Sequence, residues 1–196
     1  MTNANKLLSL AKQNNGYIAN KQVKAVGLST RHLTDLIKNK KIKKVKPGLY
    51  LDREHMPDKF FETLYNTPGA FSHTTALYFH NITDRTPIKF DITVANEYKG
   101  SLQNNKKVNL FYVKKELYSL GLAEMKSPQN LPVKVYDMER TICDIIRNEK
   151  RIETEIFISA LQKYARSKDK RLNTLLKYAA LFGVSDKVEE KLRILL

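Results

Sequence analysis

Residues 20–51 read NKQVKAVGLSTRHLTDLIKNKKIKKVKPGLYL, and this stretch decides the fold. Asn20 fits the N-cap of a short helix carrying Val23 and Val26 that stops at Gly27. Ser29 caps a second helix, from about Thr30 to Asn39. Its Leu33, Leu36 and Ile37 fall on one face, while Thr30, Arg31, Thr34, Asp35 and Lys38 point elsewhere. Two short helices joined by a tight turn at Val26-Gly27-Leu28, the second with an outer face of small polar and basic side chains, form a helix-turn-helix pattern. Lys41 to Val45 and Leu49 to Leu51 then alternate in strand fashion around Lys46-Pro47-Gly48, which predicts a basic β-hairpin, or wing. Three amphipathic helices also make plain bundles; the hairpin and its charge favour the winged form.

Upstream, Leu7, Leu8, Leu10 and Ala11 repeat at helical spacing from Asn5 to Asn14, and Asn15-Gly16 supplies the stop. Downstream of Asp52 the texture changes, and a boundary falls between residues 52 and 70. A helix is expected near Lys59 to Tyr65, a break at Thr67-Pro68-Gly69, and a second helix from about His73 to His80. Strands follow at Ile88 to Val94, Val108 to Val113 and Val133 to Tyr136. Helices then come at Met138 to Arg147, Glu153 to Ala165, Leu172 to Phe182 and Asp186 to Leu195. The expected class is α+β, with an N-terminal winged helix-turn-helix domain over residues 1–60. A mixed α/β C-terminal domain ending in a helical cluster takes residues 61–196.

Charge points to the partner. The 196 residues carry 35 Lys+Arg against 20 Asp+Glu, a net +15 with a pI near 9.8. Thirteen of the basic and four of the acidic residues lie in residues 1–60, so +9 of the surplus belongs to the segment with the helix-turn-helix. Polyanions are the natural partners of such a segment. A hydrophobic fraction of 42% with seven Gly and six Pro describes an ordered chain, not a disordered tail. The single Cys143 excludes an internal disulfide, and the polar start MTNANK has no signal-peptide core. With a mean hydropathy of −0.46 and no run near the ~18 apolar residues of a span, a cytoplasmic, non-membrane protein is expected.

On a DNA-binding reading, Ser29, Thr30, Arg31, Thr34 and Lys38 would reach the major groove. Arg31 has the geometry for a bidentate guanine contact, and Ser29 and Thr30 suit phosphate or less selective contacts. Lys40, Lys41, Lys43, Lys44 and Lys46 would meet backbone phosphates. Enzymatic patterns are missing. The glycines stand singly, so no phosphate-cradling loop is present. His32, His55, His73 and His80 lack the i, i+4 spacing of a helical metal pair, and Cys143 lies in an apolar helical pattern. No catalytic residue, metal or cofactor is expected. One polar cluster stands out, Tyr136-Asp137-Met138-Glu139-Arg140-Thr141-Ile142-Cys143-Asp144. Asp137 suits an N-cap, Glu139 a helix N-terminus, and Arg140 with Asp144 an i, i+4 ion pair. The same Asp137, Glu139, Arg140 and Asp144 are also candidates for a metal-dependent or partner-binding site, and spacing does not separate the two readings.

The layout resembles the AbiEi family, antitoxins of the AbiE abortive-infection (type IV toxin–antitoxin) systems of bacteria. The resemblance rests on Gly16-Tyr17, Gly27-Leu28-Ser29, Pro47-Gly48-Leu49-Tyr50, Ser72-His73-Thr74-Thr75-Ala76-Leu77-Tyr78, the Tyr136 to Asp144 cluster and Leu175-Leu176-Lys177-Tyr178-Ala179. It implies a winged-helix domain that binds inverted repeats of operator DNA in its own promoter and represses the operon; self-association of neighbouring copies on paired half-sites, through the C-terminal domain, is the expected mechanism. It also implies a C-terminal antitoxin domain, in which Asp137, Glu139, Arg140 and Asp144 are the candidate residues. The implied toxin is a nucleotidyltransferase that need not be a physical partner. This chain lacks the Gly-Ser and paired-Asp signature of such a transferase. Relatives often carry Arg before the wing glycine where Pro47 stands here, which shifts the expected wing contacts to Lys44 and Lys46. Two other readings stay open: a winged-helix regulator with no antitoxin role, and an RNA-binding inhibitor or enzyme acting on the toxin's target.

Overall fold

A computed structural model describes residues 2–193. The chain forms two compact units. The first comprises residues up to Tyr65 together with Lys126–Pro132; the second comprises Asn66–Met125 and the residues from Val133 onward.

In the first unit, α1 (Asn3–Gln13) begins at Thr2, whose hydroxyl accepts from the Asn5 N–H, and is followed by β1 (Tyr17–Ala19). The next helix, α2 (Asn20–Ala25), starts one residue earlier than the sequence implies. Ala19 is the N-cap, and Gln22 Oε1 reaches back to accept from its N–H at 2.8 Å, while the Asn20 N–H donates to Gly48 O. Val26 falls just outside this helix and is half exposed. After the turn comes α3 (Arg31–Lys38), then β2 (Ile42–Lys46), β3 (Leu49–Asp52) and α4 (Lys59–Leu64). The three strands make an antiparallel sheet in the order β1-β3-β2.

Both faces of this small sheet are covered. Ile18 and Ile42 join Leu7, Val23, Leu33 and Leu36 in one apolar cluster, so α1, α2 and α3 pack on that side. Tyr17, Ala19, Leu49 and Leu51 form a second cluster with Phe61 and Tyr65 and with Leu131 of the returning segment. At about 25 cal/mol per Å² of apolar surface buried, two thin layers are how so short a unit gathers a core.

The second unit is built on a five-stranded mixed sheet, order β6-β5-β4-β8-β7. In chain order its elements are β4 (Ala70–Phe71), α5 (His73–Phe79), β5 (Phe90–Ala95), β6 (Val108–Val113), α6 (Lys115–Tyr118), β7 (Leu122–Lys126) and β8 (Pro132–Tyr136). Helices α7 (Met138–Arg147), α8 (Thr154–Arg166), α9 (Leu172–Phe182) and α10 (Ser185–Arg193) follow and enclose an apolar core with α5. Leu195, the expected end of the last helix, lies outside the described residues. β5 and β6 run parallel in unbroken register from Phe90↔Val108 to Ala95↔Val113. The architecture is α+β, a winged helix-turn-helix followed by a mixed α/β unit that ends in a helical cluster, as the sequence implies.

Candidate nucleic-acid interface

The α3 face follows from its spacing. Leu33 and Leu36 are buried at 1% and 4% exposure. Arg31, Thr34, Asp35 and Lys38, three and four residues apart, form the opposite, exposed stripe. Ser29 Oγ accepts from the Arg31 N–H at 3.3 Å, which fixes the entry to the helix, and Thr30 occupies the N-cap position with no side-chain bond. Ser29 is exposed and Thr30 half-buried. Asp35 shares the exposed stripe, a carboxylate that the sequence reading left out of the interface. Set between two cations, it is suited to accept from cytosine N4 and would repel phosphate.

The wing turn is Pro47-Gly48. Gly48 has φ +75°, the left-handed geometry that the second central residue of a type II turn requires, while Pro47 presets the first. Lys40, Lys41, Lys43 and Lys44 are exposed. The strand register separates the last two. Lys44 pairs with Tyr50, which pairs with Ile18, on the sheet face that carries α1–α3. Lys43 lies opposite Leu51 and Tyr17, on the α4 face. Lys46 differs from the others: it is half-buried, donates from Nζ to Thr63 O at 2.8 Å, and burial lowers its pKa.

The polar cluster of the second unit is largely internal. Glu139, Arg140 and Asp144 have 1%, 0% and 0% exposure. Asp137 caps α7, accepting from the Arg140 N–H at 2.8 Å, and also accepts from Arg171 Nη2 at 3.0 Å and Tyr178 OH at 3.2 Å. Glu139 accepts from Arg171 N at 2.9 Å and Nε at 3.0 Å, and also pairs with Arg171 Nη2. Arg140 donates to Asp144 at 2.9 Å and to the carbonyls of Leu117 and Leu120 at 2.9 and 2.8 Å. Its guanidinium lies 4.1 Å from the Tyr136 ring centroid and 4.2 Å from that of Phe182. Burial pushes the Asp144 carboxyl up, and Arg140 and Arg147 pull it back. Gly121 lies against this cluster at φ +71°, with room for no side chain, since a Cβ would come 2.7 Å from that of Arg140. The arrangement orients α7 against α6 and α9. Arg171 and Tyr178 complete it from 32 residues and more away, a spacing that carries no signal in the sequence.

His80 and His73 have local partners. His80 Nε2 donates to Tyr136 O at 2.8 Å. His73 is fully buried, stacked 3.5 Å from Phe111, with Nδ1 at 2.9 Å from Ser72 Oγ. Asn148 Nδ2 donates to His73 Nε2 at 3.0 Å and to Asp144 O at 3.0 Å. Burial pushes the Cys143 thiol up to about 12, an environment that disfavours the nucleophilic thiolate. Among the described residues, no group of three or more His, Cys, Asp and Glu is placed to hold a metal ion, and no helix is long and apolar enough to cross a membrane.

Residues 5–51 match a family model described as "Transcriptional regulator, AbiEi antitoxin". Over this segment the chain is similar to the AbiEi family. The matched segment runs from α1 into β3, so it contains α3 and the wing and ends before α4. No curated protein matches the sequence. Among solved structures, the chain is similar to the RV2827C protein from Mycobacterium tuberculosis. The TM-score is 0.63 and the identity 13%, and the likeness covers 98% of this chain and 81% of that one. At that identity the likeness concerns the fold, which extends well past the matched segment into the second unit. The exposed residues of α3 and the wing thus sit within the segment that is similar to a family described as antitoxins and transcriptional regulators.

Proposed function

We propose that this protein is the antitoxin and autorepressor of a type IV toxin–antitoxin operon in phage abortive infection, binding operator DNA at inverted repeats and counteracting a nucleotidyltransferase toxin. The observation that carries the reading is the exposed stripe Arg31, Thr34 and Lys38 on α3, opposite Leu33 and Leu36, with the lysine-bearing hairpin next to it. Arg31 supplies base readout, Ser29, Thr30, Thr34 and Lys38 accompany it in the major groove, and Lys40, Lys41, Lys43 and Lys44 neutralise phosphates. Lys46, tied to Thr63, adds charge at the wing base rather than a free contact. Repression follows by occlusion, and copies associate on paired half-sites. The chain itself catalyses no reaction in this scheme. Asp137, Glu139, Arg140 and Asp144 serve the antitoxin domain by holding α7, α6 and α9 in register.

Fluorescence anisotropy with the protein's own upstream DNA and with a random duplex, over a series of salt concentrations, tests this. With about six phosphates neutralised, log affinity falls against log salt with a slope of roughly −5. Arg31→Ala abolishes the preference for the upstream DNA, a loss of about 1–3 kcal/mol, and leaves most of the nonspecific binding. Equal losses on both duplexes would remove Arg31 from base readout, and the absence of any preference in the unaltered protein would remove the operator.

A further inference from the structure

A cleft of about 670 Å³ opens in the second unit between the irregular loop over residues 83–89 and the first residues of β5 and β6. Its volume lies within the ~300–1,000 Å³ range of small-molecule sites. The wall has two characters. Its lining combines the cations Lys89 and Arg151 and the Thr86 hydroxyl with the apolar Pro87, Ile88 and Ile156.

The wall's groups differ in what they leave free. Asp91, 4% exposed, is saturated: it accepts from Thr74 N at 3.0 Å, from Thr74 Oγ1 at 2.5 Å and from Asn109 Nδ2 at 2.9 Å. It therefore fixes the floor and holds the amide nitrogen of Asn109, a residue that lines the cleft. Arg85 is engaged with Glu153 at 3.1 Å and Glu155 at 2.7 Å, which anchors the loop and gives the exposed Glu153 carboxylate a counter-charge. Arg151 lies 3.9 Å from the Phe111 centroid and spends one N–H on Leu110 O at 3.3 Å, so most of its donors remain. Lys89 makes no ion pair among the described residues. Beside it, Ile88 is 94% exposed, an apolar side chain held out over the cleft.

We propose that this cleft binds a nucleoside phosphate, with Lys89 and Arg151 on the phosphate, Ile88, Pro87 and Ile156 against the base, and Asn109 Oδ1 accepting from a base or sugar donor. The ligand must join an anionic group to a flat apolar body, because inorganic phosphate would leave the isoleucines unused and an apolar molecule would leave two cations unpaired. The site is separate in sequence and chemistry from the DNA contacts of α3 and the wing, and does not depend on them.

Calorimetric titration of the full chain with AMP, GMP, CMP and UMP, and with inorganic phosphate, tests the assignment. At least one nucleotide is expected to bind saturably, one per chain, with a Kd below about 1 mM and at least tenfold more tightly than phosphate. Lys89→Glu and Ile88→Asp, both at exposed positions, are each expected to weaken it tenfold or more with the thermal midpoint unchanged, and Lys43→Ala with Lys44→Ala to leave it as it was. Methyl NMR should show Ile88 and Ile156 shifting on titration while Ile18 and Ile42 stay still. Absence of saturable binding overturns the proposal. So does phosphate binding as tightly as every nucleotide, or nucleotide binding that is lost with Lys43 and Lys44 rather than with Lys89.

Discussion

Arg171 shows what a single side chain does here. Its head is more than half exposed, yet it is the counter-charge for Glu139, whose side chain is 1% exposed. Removing its side chain leaves a buried carboxylate with the backbone N–H of residue 171 but without a counter-charge. Arg171→Ala is expected to cost about 3 kcal/mol in denaturant unfolding, the lower end for one partner of a buried pair. Arg171→Ala with Glu139→Gln should recover part of that loss, and a double variant as weak as the sum of the two singles would dissolve the pair. His73 makes the complementary case for pH. Burial, with Arg147, Arg151 and Arg140 nearby, holds its pKa well below the usual 6.5, and its Nε2 must stay unprotonated to accept from Asn148. Because the unfolded chain then binds a proton that the folded one refuses, stability is complete above about pH 6.5 and falls as pH drops below it. Unfolding midpoints between pH 7.5 and 5 are expected to decline, and His73→Asn should flatten the decline.

Among the elements, the wing separates two neighbouring lysines. Lys44 shares a sheet face with α1–α3, and Lys43 occupies the α4 face. If α3 lies in the major groove, the phosphates beside it are on the Lys44 side. Lys44→Ala is therefore expected to flatten the salt dependence of DNA binding by close to one phosphate, and Lys43→Ala by clearly less. Equal effects would mean that the hairpin edge, and not one face, meets the duplex. The elements also differ in how legible they were. α3 announces itself through the local 3.6-residue period, although its N-cap is Thr30 and not the expected Ser29, and α7 through that period and its Asp137 cap; the Arg140–Asp144 pair is local too. β1 and β4 are three and two residues long, too short to alternate, and exist because Leu49–Leu51 and Thr93 offer them edges. The Arg171 contact to Glu139 and the returning segment are contacts distant in sequence, which no spacing rule reports. The expected strand from Ile88 begins at Phe90 instead, where the pairing with Val108 starts.

At the scale of the whole molecule, the first unit is not a continuous piece of chain. Leu131, 7% exposed, sits in the cluster with Tyr17, Leu49 and Leu51, and the Gln129 N–H donates to Asp58 at 3.2 Å. Leu131→Ala is expected to destabilise the first unit by about 2–3 kcal/mol and to weaken DNA binding at temperatures where that unit melts, although it lies 80 positions past the wing. Unchanged DNA affinity throughout the melting range of the variant would show that the first unit closes without this segment.

That return of the chain sets an order of events during synthesis. A ribosome that has finished Tyr65 has made every residue of α3 and the wing, but the cluster on which the wing strand β3 leans stays open until Leu131 has emerged. At about 5–20 residues per second, the intervening stretch takes roughly 3–13 s. For that interval the nascent protein carries an unfinished DNA-binding unit, and a messenger truncated between the two points would yield a product with every DNA-contacting residue and an incomplete fold to hold them.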